Sequence, residues 1–398
     1  MTAGLIFCVA ALSSVGSPQS APLTPHVVRL KAKSPFSLSL PEGFTIVPAA
    51  EGLKRLRFMA KSPDGRIFVT TMHDLSDNNE GAIYILDGFD EQRGKFARVI
   101  PYLTNLHNPN SLAFYMDAQG QAWIYLALTD RLVRYKFVGG EEQPTSHPEV
   151  LATYPAYGLS YKYGGWHLTR TIAFGPGDKL YVTVGSSCNA CDEKEEIRAT
   201  LSVMDVNGKN QRIIARGLRN AVGMRFVGDS LFLTNMGSDH LGDDQPDDPM
   251  FSVSPSALRE GKLDYGWPHC YYSGGKATTD ARFGLGKSRT DCQAAPGAFA
   301  FFGAHSSPLG LDYFGHDSSS PILRQHFLVA LHGASNKQLD RGYRVVGVDA
   351  HGQVQDLITG FIKNGVVRGR PCDILKLSEN SFLLSDDYAN VIYYVHAK

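Results

Sequence analysis

The sequence has no net charge, no long apolar run and no nicotinamide-binding motif, and each absence excludes a class of protein. Its 39 basic and 39 acidic residues balance. No basic stripe stands out, so a nucleic-acid partner is not expected. The most apolar stretch, LIFCVAALSSVG near the N-terminus, is too short to span a bilayer. There is no glycine-rich strand–turn–helix motif for a nicotinamide cofactor, and no window has the period of a long amphipathic helix.

What the sequence does contain is a repeated β-unit. Each copy has a short strand, a turn rich in Gly, Asp or Asn, and a second strand of β-branched and aromatic residues. The six copies lie at 58–71, 111–128, 171–185, 223–237, 309–333 and 373–387. A further strand follows several of them. This pattern predicts an all-β fold, a six-bladed β-propeller that forms one closed domain over residues 25–398. The longest insertion, about residues 238–308, has no helical period and is expected to build a site.

The N-terminal segment, residues 1–24, resembles a signal peptide because its apolar run is followed by small residues. No Lys or Arg precedes the run, and a buried N-terminal strand is the alternative. A lipoprotein is not favoured, since Leu-Ile-Phe stands before Cys8 where a small residue is expected. The segment therefore predicts an exported protein, secreted or periplasmic.

Cysteine spacing supports export. Cys188 and Cys191 form a CxxC pair, but a zinc site usually needs a second such pair and the sequence has none. A tight loop disulfide in an oxidising compartment is the better interpretation. We expect Cys270 and Cys292 to close a second disulfide, which leaves Cys372 as a buried free thiol. Other pairings stay open.

Unusual polar residues stand just ahead of the repeated strands. His167 precedes the third copy, and the pair Arg219 and Asn220 precedes the fourth. Lys337, Arg368 and Arg370 flank later copies. Each one alone is explained by a satisfied loop histidine or a solvated surface cation. Because propeller blades share one axis, the set predicts an axial site for a ligand with several carboxylates or phosphates, with His167 as a general base.

Residues 234–249 contain five aspartates among glycine turns. Carboxylate and carbonyl oxygens suit a hard cation such as calcium. The spacing is not that of an EF-hand, and a solvated acidic turn is the alternative.

Six motifs together resemble the glucose/sorbosone dehydrogenase family, the soluble pyrroloquinoline quinone (PQQ)-dependent sugar dehydrogenases. The resemblance covers about residues 40–395. The motifs are His167 ahead of TIAFGPGDKLYVTVGSS, then GLRNAVGM, NMGSDHLGDDQPDD, DYGWPHCYY, AHSSPLGLDYF and RPCDILKLSENSFLLSDD.

The resemblance implies a role for each matched residue. The quinone would lie flat over the axial opening, with His167 as the base. Arg219 and Asn220 would contact the quinone, and further cations would come from Lys337, Arg370, Arg368 and Arg57. Calcium would be bound by the quinone and the backbone carbonyls of Gly237 and Ser238, with Asp239 in support.

The implied activity is oxidation of an aldose or related sugar to a lactone or acid, with hydride passing to the quinone. Oxidation of a hydroxyl needs a hydride acceptor that no side chain provides. The implied partners are a sugar and an electron acceptor, a small quinone or a cytochrome. A calcium-dependent lactonase and a non-catalytic binding propeller are the alternatives.

The sequence departs from the glucose dehydrogenase branch at three places. The segment HGASNK (332–337) lacks the tryptophan expected at position 335, and Gly237-Ser238 replaces Gly-Pro. The insertion CNAC (188–191) is closer to the sorbosone and pyranose branch. These departures bear on which sugar is the substrate more than on the cofactor.

Overall fold

The computed structural model describes residues 22–156, 166–283 and 291–398. The expected leader, residues 1–24, therefore lies almost entirely outside the described residues. The described chain begins with two paired antiparallel strands and a third strand that joins the last blade. These are β1 (Leu23–Val28), β2 (Phe36–Pro41) and β3 (Phe44–Glu51).

Blades 1 and 2 are four-stranded antiparallel sheets whose strands follow chain order from the axis outward. Blade 1 comprises β4 (Leu56–Lys61), β5 (Ile67–Thr71), β6 (Gly81–Asp90) and β7 (Lys95–Leu106). Blade 2 comprises β8 (Ser111–Met116), β9 (Ala122–Ala127), β10 (Arg131–Phe137) and β11 (Glu149–Thr153).

Blades 3 and 4 follow, and the long insertion begins after the second strand of blade 4. The strands of blade 3 are β12 (Arg170–Gly175), β13 (Lys179–Val184), β14 (Thr200–Asp205) and β15 (Arg212–Arg216). Blade 4 begins with β16 (Ala221–Val227), β17 (Ser230–Asn235) and β18 (Asp248–Val253). There follow α1 (Pro255–Glu260), β19 (Leu263–Asp264), β20 (Cys270–Ser273), β21 (Lys276–Thr279), a 3-10 turn (Ala281–Phe283) and β22 (Ala300–Phe302).

The insertion is more regular than the sequence analysis expected. Strands β18 and β22 complete blade 4, β19 adds a fifth strand to blade 3, and β20 pairs with β21. One short helix, α1, lies in the insertion although its sequence shows no helical period. Ser254 accepts a hydrogen bond from Ala257 N at the helix start, and Gly261 ends the helix in a left-handed conformation. Six residues are too few for a helical period to show in the sequence.

Blades 5 and 6 complete the ring. Blade 5 comprises β23 (Pro308–Phe314), β24 (His326–Leu331), β25 (Arg344–Val348) and β26 (Val354–Ile358), with a 3-10 turn at Lys337–Leu339. The hairpin β27 (Ile362–Lys363) and β28 (Val366–Val367) leads to β29 (Pro371–Ser378), β30 (Ser381–Asp386) and β31 (Val391–Ala397). The outer strand of blade 6 is β3, antiparallel to β31, so the two ends of the fold close the circle.

The innermost strands contact each other in ring order, β4, β8, β12, β16, β23, β29 and back to β4. This confirms the predicted six-bladed propeller. Neighbouring inner strands approach closely, since a Cβ on Gly223 would collide with the Leu309 carbonyl of the next blade. Apolar side chains fill the space between blades. Between blades 1 and 2, for example, the Phe68 ring meets Tyr102 and Phe114 edge-on, each at 5.0 Å.

The predicted cysteine pairing is confirmed. Disulfides join Cys188 to Cys191 and Cys270 to Cys292. Cys372 is a buried free thiol on the inner strand β29. Within the described ranges, no helix has the length and apolar character needed to cross a membrane.

Asp373, on the same inner strand, is buried beside the axial channel and accepts a hydrogen bond from Met59 N at 2.9 Å. Burial raises its pKa to about 8 from 3.8, helped by nearby Asp312 and opposed by Arg225. At pH values between 3.8 and about 8, Asp373 keeps a proton in the folded state that it releases in the unfolded chain. The free energy of unfolding therefore falls as the pH rises through this window.

Asp373→Asn cannot ionise, so its stability relative to the parent protein should rise with pH. Between pH 5 and pH 7, we expect the free energy of unfolding of the variant, relative to that of the parent protein, to rise by about 1.4 kcal/mol per pH unit. Urea unfolding at each pH measures it. Asp317→Asn, at an exposed position, is the control. A stability difference that stays constant with pH would show that Asp373 does not carry the extra proton.

Candidate active site

Two kinds of loop meet at one end of the axial channel. One enters the innermost strand of a blade, and the other leaves its second strand. These strands are antiparallel neighbours, so both loops lie at the same end. Asn108, His167 and His305 each lie three positions ahead of the first residue of an inner strand. Their φ angles are left-handed, at 38°, 46° and 63°. Such angles are uncommon for residues other than glycine and are often found at functional sites.

His167 is held by the loop that leaves β13. Its Nδ1 lies 3.0 Å from the Ser186 carbonyl oxygen and 2.8 Å from Ser186 Oγ. A carbonyl only accepts, and Ser186 Oγ donates to Cys188 O at 2.7 Å. Nδ1 therefore carries the hydrogen. Nε2 makes no hydrogen bond to another described residue, so in the neutral ring its lone pair is available.

The charge state of His167 favours a base. Burial among surrounding residues lowers the pKa of His167 well below its usual value, and the guanidiniums of Arg219, Arg198 and Arg170 lower it further. The Ser186 carbonyl opposes this shift. His167 as a whole residue is half-buried. The imidazole is thus neutral and held in position.

Gly185 allows His167 to lie against Asn220. A Cβ at Gly185 would stand 2.6 Å from both the His167 Cβ and the Asn220 Oδ1. The Asn220 amide nitrogen donates only to the Met236 sulfur, at 3.3 Å, while Asn220 Oδ1 is buried with no partner among the described residues. A buried amide oxygen without a hydrogen-bond partner is unusual. Because the side-chain amide fits its site in either of two orientations, with its oxygen and nitrogen exchanged, Asn220 can offer a ligand either a donor or an acceptor.

Arg219 is buried, with only 3% of its surface exposed. Its Nε donates to the Asn189 carbonyl at 2.8 Å, and Nη2 donates to Asn189 Oδ1 at 2.9 Å. Nη2 also lies 3.0 Å from Asp239 Oδ2. The guanidinium carbon stands 5.8 Å from the centre of the Trp166 ring. Arg219 is therefore fixed in one orientation beside His167.

A second charged cluster faces the channel from blades 5, 6 and 1. The fully buried Asp387 accepts from His332 Nε2 at 2.9 Å and lies 3.4 Å from Arg57 Nη1 and 3.7 Å from Arg55 Nη1. Burial alone would raise the pKa of Asp387, but His332 and the two guanidiniums outweigh it and lower the pKa to about 2. Burial and Arg370 lower the pKa of His332 to about 4. The carboxylate is ionised and the second imidazole is neutral.

Three guanidiniums each have one terminal nitrogen that makes no hydrogen bond to a described residue. Arg57 uses Nε and Nη1 for Asn110 and Asp387. Arg370 uses Nε and Nη2 for the carbonyls of His332, Gly333 and Ala334. Arg57 Nη2, Arg219 Nη1 and Arg370 Nη1 bind no described residue, and none is a buried orphan. We call Arg57, Arg219 and Arg370 the guanidinium cup. A flat ligand with several anionic groups suits such an arrangement.

The predicted metal segment, Gly237 to Asp239, borders the cup. Its backbone is fixed by Gly237 N, which donates to Asp248 Oδ1 at 2.7 Å. The carbonyl oxygens of Gly237 and Ser238 accept no hydrogen bond from another described residue, so they fit a hard cation. Asp239 is exposed and pairs with Arg219, so a role as metal ligand would compete with that ion pair.

The five aspartates of residues 234–249 do not form a cage of their own. Asp244 pairs with Arg341, and Asp248 is buried between Gly237 N and Ser307 N. Among the described residues, the one cluster of three ligand-type side chains is Cys188, Cys191 and Glu193. That cluster is no metal site, because its two cysteines form a disulfide.

The structure brings together most, but not all, of the predicted site residues. His167, Arg219, Asn220, Arg57 and Arg370 meet at the channel end. Lys337 and Arg368 make no hydrogen bond or ion pair to these five among the described residues. Lys337 is exposed on the 3-10 turn that begins beyond Asn336, whose side chain caps it. Arg368 is half-buried, and its backbone N donates to Phe361 O at 2.7 Å.

Three residues of the site, His332, Asp387 and Asn189, were not predicted from the sequence. The first two directly follow the second strand of a blade, one residue before the position that Ser186 and Gly237 occupy in other blades. In each blade the second strand ends beside the start of the first strand. Residues that follow the second strand could therefore have been predicted to face the site. Asn189 lies inside the disulfide loop and gives no such signal.

Comparisons with known proteins agree with this architecture. A family profile described as TrAA12-like matches residues 38–359. An uncharacterized protein of Borreliella burgdorferi is 27% identical over 228 residues, which are 55% of this chain and 57% of that protein. The match thus spans little more than half the length of that relative.

Solved structures share the fold over nearly the whole chain. The holo form of the pyranose dehydrogenase PQQ domain from Coprinopsis cinerea superposes with a TM-score of 0.71, at 18% identity, over 91% of this chain and 97% of that one. A Trichoderma reesei enzyme of carbohydrate-active family AA12 gives 0.74 at 16%, over 93% and 100%. The PQQ-bound aldose sugar dehydrogenase of Streptomyces coelicolor gives 0.59 at 15%, over 90% and 99%. At these identities the likeness shows the fold.

Proposed function

Because this chain belongs to the TrAA12-like family, we propose that it oxidises a sugar hydroxyl or aldehyde to a lactone or acid with bound PQQ as the hydride acceptor. One observation carries the proposal. A neutral imidazole with an available Nε2, His167, lies beside a guanidinium cup with three free terminal nitrogens.

The residues present fit the cofactor. Arg57, Arg219 and Arg370 would hold its carboxylates and carbonyl oxygens, and Asn220 would bond to it through its orphaned amide. The carbonyls of Gly237 and Ser238 would share a calcium ion with the quinone, with Asp239 at the edge of the site. Lys337 and Arg368 are left as outer contacts at the rim. When bound, the quinone supplies a hydride acceptor that the protein lacks.

The protein's own contribution is acid–base chemistry and orientation. A sugar hydroxyl, or one hydroxyl of a hydrated sugar aldehyde, would donate its proton to His167 Nε2 as hydride leaves the carbon that bears that hydroxyl. Nδ1–H is held by Ser186, so the lone pair keeps its direction. The imidazolium formed would be destabilised by Arg219, Arg198 and Arg170, which favours prompt release of the proton to solvent.

The proposal also covers the protein's location, its branch of the family and its electron acceptor. The disulfides support a secreted or periplasmic protein, with residues 1–24 as its leader and residues 25–398 as the enzyme. The CNAC disulfide loop favours the sorbosone or pyranose branch. The electron acceptor would be a small quinone or a cytochrome. A calcium-dependent lactonase is less consistent, because it needs free acidic ligands on the axis, and here Asp387 is already paired with His332, Arg57 and Arg55.

We expect calcium and PQQ to bind with positive linkage, each tightening the other, because the protein supplies carbonyls but no complete cage. Calcium titrations by calorimetry should give a clearly lower Kd for the PQQ-loaded protein than for protein treated with EDTA. Activity should return only when both are restored.

Asp243→Asn with Asp244→Asn is the matched control. It removes exposed loop charges and should leave the linkage intact. Equal calcium affinity with and without PQQ, lost in this variant, would move the metal to the loop.

A further inference from the structure

Asn189 connects two segments of the site that are distant in sequence. Its carbonyl oxygen accepts hydrogen bonds from Arg219 Nε at 2.8 Å, Ser238 Oγ at 3.2 Å and Trp267 Nε1 at 3.3 Å. Its side-chain Oδ1 accepts from Arg219 Nη2 at 2.9 Å and Asp239 N at 2.8 Å. One residue thus holds both the guanidinium and the candidate calcium segment.

A disulfide encloses Asn189. Cys188 and Cys191 flank the two residues Asn189 and Ala190. Cys188 is buried against Ala199 and Trp267, and its carbonyl accepts from Ser186 Oγ. The closed loop restricts the backbone at Asn189 and anchors it to the residue that holds His167.

We propose that Asn189 is a positioning residue, held by the Cys188–Cys191 disulfide, that sets Arg219 and the Ser238–Asp239 segment in place before any ligand arrives. The proposal rests on the proposed function for its ligand, but the arrangement itself belongs to the free protein. An arginine side chain is flexible and loses much rotamer freedom when it binds an anion. Fixing it beforehand removes that cost from binding.

A double-mutant cycle tests the coupling. Asn189→Ala removes two of the five hydrogen bonds and should raise the Kd for PQQ, in the presence of calcium, about tenfold. In an Arg219→Ala background the same change should raise it by at most about threefold, because its main target is absent. An equal fold-change in both backgrounds would overturn the proposal, since a merely structural effect does not depend on Arg219.

The disulfide is tested against a matched control. Cys188→Ser with Cys191→Ser should weaken PQQ binding about as much as Asn189→Ala does. Cys270→Ser with Cys292→Ser also removes one disulfide but leaves Asn189 untouched, and it should change the Kd by less than about twofold. An equal loss of PQQ affinity in both double variants would show that the Cys188–Cys191 loop only stabilises the protein in general. The Asn189→Ala cycle decides the matter if the serine variants fail to fold.

A measurement on the free protein separates this proposal from the proposed function. In nitrogen-15 spectra without PQQ or calcium, the Arg219 Nε–H should exchange slowly with solvent in the parent protein. It should exchange at least about tenfold faster in the Cys188→Ser, Cys191→Ser variant. Unchanged exchange would overturn the positioning role. A parent protein that binds no PQQ would contradict the proposed function while leaving this comparison valid.

Discussion

Replacing His167 with alanine should slow sugar oxidation by about 10²–10⁴-fold, the usual loss when a general base is removed. The residue holds its Nδ1 against Ser186 and leaves Nε2 for the substrate. PQQ binding should persist, because the guanidinium cup is unchanged.

The comparison for His167→Ala is His351→Ala, which removes an exposed histidine and should leave turnover unaltered. Steady-state rates with a saturating sugar and an artificial electron acceptor measure both. If His167→Ala turns over within a factor of two of the parent protein, His167 is not the base.

Replacing Arg219 with alanine should chiefly weaken cofactor binding. Loss of a hydrogen bond to a charged group costs about 1.5–3 kcal/mol, which is about one to two decades in Kd. The loss should be large here because Arg219 is buried and already oriented by Asn189. Titration of the free protein with PQQ in the presence of calcium measures it.

Arg216→Ala is the matched control for Arg219→Ala. Arg216 lies three residues earlier, is exposed, and its Nη2 stands 3.7 Å from Glu196, so its removal should leave the Kd unchanged. An unaltered PQQ affinity in Arg219→Ala would remove that residue from the cofactor site.

The propeller could be predicted because each blade repeats its own local signals. Alternating apolar residues, with a turn containing Gly, Asp or Asn between them, mark the first two strands of every blade. The closure of the ring could not be predicted in the same way. Strand β3 pairs with β31 across almost the whole chain, and nothing in either strand identifies its partner.

The site was predictable where a residue precedes an inner strand, as His167 and Arg219 do. It was less so where tertiary contacts decide. Lys337 follows a buried strand in sequence, yet Asn336 caps a 3-10 turn that leaves it exposed. The ionised Asp387 depends on His332, Arg57 and Arg55, which come from two other blades.

The most direct test is an anaerobic single turnover. Protein reconstituted with PQQ and calcium would be mixed with an excess of an aldose, with no other electron acceptor present. The account predicts that the spectrum of the bound quinone bleaches, that about one equivalent of lactone or acid forms per bound quinone, and that His167→Ala with the same bound quinone bleaches far more slowly. A protein that binds the quinone but is reduced equally fast with and without His167, or that binds none, would contradict it.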